Sequence, residues 1–236
     1  YAPFYLYPLL AWPVAAGLWW CFRHHRRPAA TSSSPLRLWR RIRTHRPSRW
    51  LPWLWTGFFA THLLSAAVVL WSEQVHARLG PWRLGLATTC PLLALSLSSW
   101  ASCRFWGDGP TAARRLFWAG HGLMIAGLLL FGFLPREALQ LGGVTVAGIG
   151  VGILLPRVGS ALADLVGPAD RGLVLALYGS TRFAGGAVLI PLLTAAAAAI
   201  GRGPIMLMAA LLPLAGLWLE RAPSRPAKGP HRRTGN

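Results

Sequence analysis

Seven runs of about twenty mostly apolar residues divide this chain: residues 3–22, 51–71, 84–103, 116–134, 139–156, 172–199 and 204–219. In a helix, with a rise of about 1.5 Å per residue, twenty residues cover about 30 Å, the thickness of a bilayer's hydrocarbon core. The runs are continuous, without the apolar–polar alternation of a half-buried strand. Within lipid, a single segment satisfies its own backbone only as a helix. Composition agrees. The 236 residues are 54% hydrophobic and 13% charged, whereas a soluble domain has about 25% charged residues. An all-α integral membrane protein with about seven transmembrane helices is expected.

The net charge of +18 would suit a nucleic-acid binder, but the arrangement of the charges points elsewhere. Basic residues sit between the apolar runs, mostly in alternate loops, as the positive-inside rule requires. The first loop carries nine arginines between Arg23 and Arg49. Arg104, Arg114 and Arg115 fall on the same side, as do Arg157 and Arg171 and the tail from Arg221 to Arg233. The opposite side holds Arg78, Arg83, Arg136 and Arg202. The expected partner is therefore the lipid bilayer of a cell membrane, not nucleic acid. The linker and the tail are expected to be cytoplasmic.

The expected layout is a transmembrane helix at 1–22, a basic linker at 23–50, six spans within 51–220 and a basic disordered tail at 221–236. Leu36, Trp39 and Ile42 recur every three residues among arginines, a pattern that suits either an anionic membrane surface or a solvated charge run. The tail "RAPSRPAKGPHRRTGN" is polar and rich in Pro and Gly. Cys21, Cys90 and Cys103 have no metal-ligand or disulfide-scaffold spacing. No phosphate-cradling glycine loop, serine triad or zinc-protease helix occurs. No enzyme activity, metal or cofactor is expected.

Two runs carry stripes of small residues: Gly148 and Gly152 in the fifth, and Gly172, Ala176, Ser180 and Ala184 in the sixth. Such stripes let helices approach closely in lipid; they serve static packing or allow helices to slide. The sixth run also contains Arg182, eleven residues beyond Arg171 and so about 16 Å deeper. A charge near mid-bilayer costs at least about 2.5 kcal/mol, so Arg182 must face a cavity or a partner, or else snorkel. Tyr178 and Gly186 flank it one helical turn either way. None of the six acidic residues reaches mid-depth in a span. His62, twelve residues into the second run, is the one titratable group at such depth besides Arg182. It is either a packing histidine or a group that binds protons or substrate.

The stretch "GIGVGILLPRVGSALADLVGPADRGLVLALYGSTRFAGGAVLIPL", Gly148 to Leu192, resembles the tenth and eleventh helices of major facilitator superfamily transporters, bacterial drug and siderophore efflux members in particular. Pro156, Arg171, Gly172, Tyr178, Ser180, Arg182, Phe183, Gly185 and Ala187 carry the resemblance. It implies that residues 1–22 correspond to the sixth helix, 23–50 to the central linker and the later spans to the C-terminal six-helix bundle. "FWGDGPTAARR" stands where the family has a cytoplasmic gating motif, and it retains Gly107, Asp108, Arg114 and Arg115 but not the spacing. Arg171 is a further gating-loop candidate.

The resemblance further implies alternating-access efflux of a small-molecule substrate, driven by an ion gradient, with Arg182, Tyr178 and His62 lining the cavity. The chain opens at Tyr1 within an apolar run, so a fragment is expected, its partner an N-terminal transporter half that carries the coupling site. The alternatives are a non-transport membrane module (a sensor or assembly partner), a degenerate transporter fragment, or a permease subunit driven by a separate ATPase.

Overall fold

A computed structural model describes residue 16 and residues 47–105, 109–166 and 168–221. The chain divides into two units, Tyr1–Ser33 and Ser34–Asn236, and all the helices below belong to the second. The expected first span, nearly all of the linker, Gly107, Asp108 and the tail beyond Arg221 lie outside the described residues.

Six helices follow one another: α1 (Pro47–Val75), α2 (Pro81–Phe105), α3 (Pro110–Phe133), α4 (Glu137–Asp164), α5 (Arg171–Ile200) and α6 (Arg202–Arg221). Each is long and apolar enough to cross a membrane, and the described chain is an all-α, multi-pass membrane protein. Proline stands at the first position of α1, α2 and α3, where its missing N–H removes a donor that would be unpaired anyway. Gly201 separates α5 from α6 with φ +89°. This left-handed backbone suits glycine and lets the chain reverse within one residue.

One boundary departs from the sequence reading. The run expected to stop at Pro156 continues as helix to Asp164. Pro156 removes the bond that the Gly152 carbonyl would accept, but Val158 and Leu162 beyond it are buried and hold the helix in place. Arg157 consequently sits in α4, not in a loop, and its Nη2 donates to the Ser102 carbonyl of α2 at 3.3 Å.

Helix α4 is the centre of the bundle, packed against α3, α2 and α1; α1 also carries α5 and α6, and α6 lies along α3. Over half of the most apolar stretch of α4 (56%) is buried, against 6% for α2 and for α5. The α3–α4 seam is made by glycines. A Cβ on Gly127 would sit 2.5 Å from the Gly143 carbonyl oxygen, and one on Gly150 would sit 2.5 Å from that of Gly120. Gly148 and Gly152 face α2 instead, where a Cβ on Gly148 would lie 2.6 Å from the Pro91 carbonyl oxygen. Gly148→Ala is expected to cost about 1–3 kcal/mol by overpacking, read as a lower thermal midpoint of the purified protein. Gly142→Ala, which meets nothing within 4 Å, should leave the midpoint unchanged or slightly raised.

The second small-residue stripe lies elsewhere. Gly172, Ala176 and Ser180 are exposed, and open space surrounds Gly172; the side chain of Ala184 is outside the described set. The stripe therefore packs no helix among the described residues, because α5 turns its opposite face, with Val174 and Tyr178, toward α1 and α4.

Polar contacts lock one end of the bundle. At the end holding the α3–α4 and α5–α6 turns, Arg202 donates to the Gly132 and Leu134 carbonyls at 3.4 and 3.3 Å and to Gln74 Oε1 at 2.6 Å. Its guanidinium also lies 5.3 Å from the Phe131 ring centroid. A cation thus caps the last carbonyls of α3. Arg202→Ala is expected to lower stability by about 1–2 kcal/mol, with Lys restoring only part of it because an ammonium cannot fork across three acceptors; thermal denaturation checks both.

Candidate functional site

Two buried histidines at different places in the bundle have different surroundings. His121 of α3 is fully buried. Its Nδ1 lies 2.8 Å from the Phe117 carbonyl and its Nε2 3.1 Å from Thr56 Oγ1 of α1. A carbonyl only accepts, so Nδ1 carries the proton, Nε2 accepts, and the Thr56 hydroxyl donates. Gly216 of α6 leaves room for this pair, since a Cβ there would lie 3.1 Å from His121 Nε2. This is a satisfied structural node joining α1, α3 and α6.

His62 of α1 has only 3% of its surface exposed, but its Nε2 has no hydrogen-bond partner among the described residues. Phe58 meets the imidazole edge to face, with centroids 5.0 Å apart. Helix α5 crosses α1 at this level. Gly185 abuts Phe58 and His62, and a Cβ there would stand 2.6 Å from His62 Nε2; Gly186 is looser, at 3.4 Å from Cε1. One and two turns toward the basic end of α5, Arg182 and Tyr178 occupy the same side of the helix, the guanidinium 5.6 Å from the Tyr178 ring centroid. Gly57 of α1 makes space for Tyr178, whose hydroxyl lies against it.

Thr61, His62, Ser65, Gly179, Arg182, Gly186 and Ile190 enclose a cleft of about 300 Å³. It opens between α1 and α5 at mid-helix on both. Four buried polar atoms in and beside it have no partner among the described residues: Thr61 Oγ1, His62 Nε2, Tyr178 OH and Arg182 Nε. Buried polar groups are paired in the great majority of cases, so four orphans at one site mark a place built to meet something else. Among the described residues the lining holds one guanidinium, one imidazole and hydroxyls, and no carboxylate.

The three cavity candidates from the sequence, Arg182, Tyr178 and His62, thus meet in one place. Of the gating-loop candidates, Gly107 and Asp108 lie outside the described residues, and the three arginines have other surroundings. Arg114 pairs with Glu220 of α6 at 3.6 Å, Arg171 pairs with Asp164 at 3.5 Å, and Arg115 is exposed. Both ion pairs include an exposed arginine and contribute little to stability. The sequence reading missed Thr61, Ser65, Gly179 and Ile190. A signal was present: Thr61 and Ser65, and Gly179, Arg182 and Gly186, recur at spacings of three and four, which put each set on one helix face. Compared with protein-family models and with curated proteins, the chain matches none.

Proposed function

We propose that this chain forms the C-terminal part of a secondary transporter of the major facilitator type, moving small molecules outward across the cell membrane by alternating access. The observation that carries the reading is the mid-depth cleft between α1 and α5, with its orphaned polar atoms around Arg182. Carriers place their substrate sites near the membrane midplane, where two bundles meet. Only 6% of the most apolar stretch of α2 and of α5 is buried in the bundle, which leaves apolar faces for a second bundle to cover. The coupling group belongs to an N-terminal half, since no acidic residue lies at mid-depth in α1–α6. The linker and tail lie on the cytoplasmic side, as the arginine distribution directs.

Flux measurements test this. Proteoliposomes holding the complete gene product are expected to move substrate down an imposed ion gradient, whereas residues 1–236 alone are expected to move none. An open reading frame with no further apolar spans before Tyr1 would sink the proposal, as would robust flux by this chain alone. Either outcome would leave the helices as a different kind of membrane module.

A further inference from the structure

We propose that the α1–α5 cleft binds a small organic carboxylate, with Arg182 as its charge partner. This deepens the transporter reading and rests on it for the identity of the cleft as a substrate site. The argument begins with donors and acceptors. Arg182 Nε can only donate, and it is buried without an acceptor among the described residues. Tyr178 OH and Thr61 Oγ1 can each donate, and so can His62 Nε2 in the appropriate tautomer. An anionic oxygen group in the cleft suits the three of these that stand on its lining residues, Thr61, His62 and Arg182.

Charge leads to the same choice. Among the described residues the lining carries a fixed positive charge and no carboxylate, so a cationic ligand would meet repulsion there. A guanidinium matches a carboxylate in shape as well as sign, with parallel N–H groups facing two oxygens. Partial burial excludes competing water and strengthens that pairing. The remainder of the ligand is bounded by Ile190 and the Gly179 and Gly186 backbone on the lining. A volume of about 300 Å³ lies at the small end of ligand pockets, so the fit is to one ring or a short chain rather than a large amphiphile.

The experiment uses the complete gene product in lipid nanodiscs with two probes of similar size, labelled benzoate and labelled benzyltrimethylammonium. Benzoate is expected to bind saturably and the cation not. Arg182→Gln should weaken benzoate about 30-fold or more, as loss of one partner of a desolvated charge pair does. Arg182→Lys should recover part of that loss and Thr61→Val, which removes a hydroxyl from the lining, should weaken binding about 10-fold. Arg83→Gln, an exposed charge on α2 far along the chain from the cleft, should bind as the unaltered protein does.

Preferential binding of the cation overturns the inference, as does benzoate binding that Arg182→Gln leaves unchanged. Absence of benzoate binding, with Arg182→Gln markedly less stable than the parent, also overturns it and assigns the anion to a carboxylate side chain elsewhere in the protein. Flux of the two probes separates this inference from the transporter reading. Arg182-dependent benzoate binding without flux supports the anion site and removes the carrier; flux of the cation alone does the reverse.

Discussion

Gly127→Val is expected to remove most of the folded protein. The Gly127 Cα faces α4 directly, and a Cβ there would lie 2.5 Å from the Gly143 carbonyl oxygen and 2.8 Å from the Ala147 Cα. These are backbone atoms of the most buried helix in the bundle, so no side-chain rotation can relieve the overlap. Helix α3 would have to move away from α4 and would take with it Met124, Leu128 and Phe131, all buried in the shared core. In lipid, association depends on close packing, because separated helices find equally apolar surroundings. Overpacking of this kind sits at or above the upper end of its usual cost, about 3 kcal/mol. The check is the yield of monodisperse protein and its thermal midpoint. A midpoint equal to the parent's would mean that the glycine seam is not where α3 and α4 meet.

Gly185→Val is expected to abolish ligand binding while leaving most of the fold intact. Its side chain would enter the space held by Phe58 and His62 and push α5 off α1 at the level of the cleft. Because α5 is buried over so little of its length, the rest of the bundle keeps its contacts and the fall in midpoint should be much smaller than for Gly127→Val. Gly172→Val is the control on the same helix. Open space surrounds that position, and it lies outside the cleft lining, so binding should persist. Equal loss of binding in both variants would show that the response is general to α5 rather than specific to the Gly185 contact.

The two buried histidines show where sequence reading stops. His62 and His121 both lie within apolar runs, and neither has an acidic neighbour in sequence. Their roles separate only in three dimensions, where Thr56 reaches His121 from 65 residues away while His62 is left with an unpaired nitrogen. The glycines show the same limit. Gly148 and Gly172 each begin a stripe of identical spacing, yet one is pressed against Pro91 and the other faces open space. Spacing defines a face of a helix but not what stands opposite it. Pro156 erred in the other direction: as a local signal it reads as a stop, and burial of Val158 and Leu162 overrides it.

By itself the sequence determined the membrane character and the six described spans, with α4 running furthest past its expected end, to Asp164. These depend on length, apolar content and charge placement, which act locally along each segment. The tertiary structure decided which helices touch, that α4 is the centre, and that Arg182 and His62 share one cleft with Thr61 while Tyr178 stands beside it. Those depend on the packing of segments distant along the chain, where a missing side chain at Gly57 or Gly185 sets how closely two backbones approach.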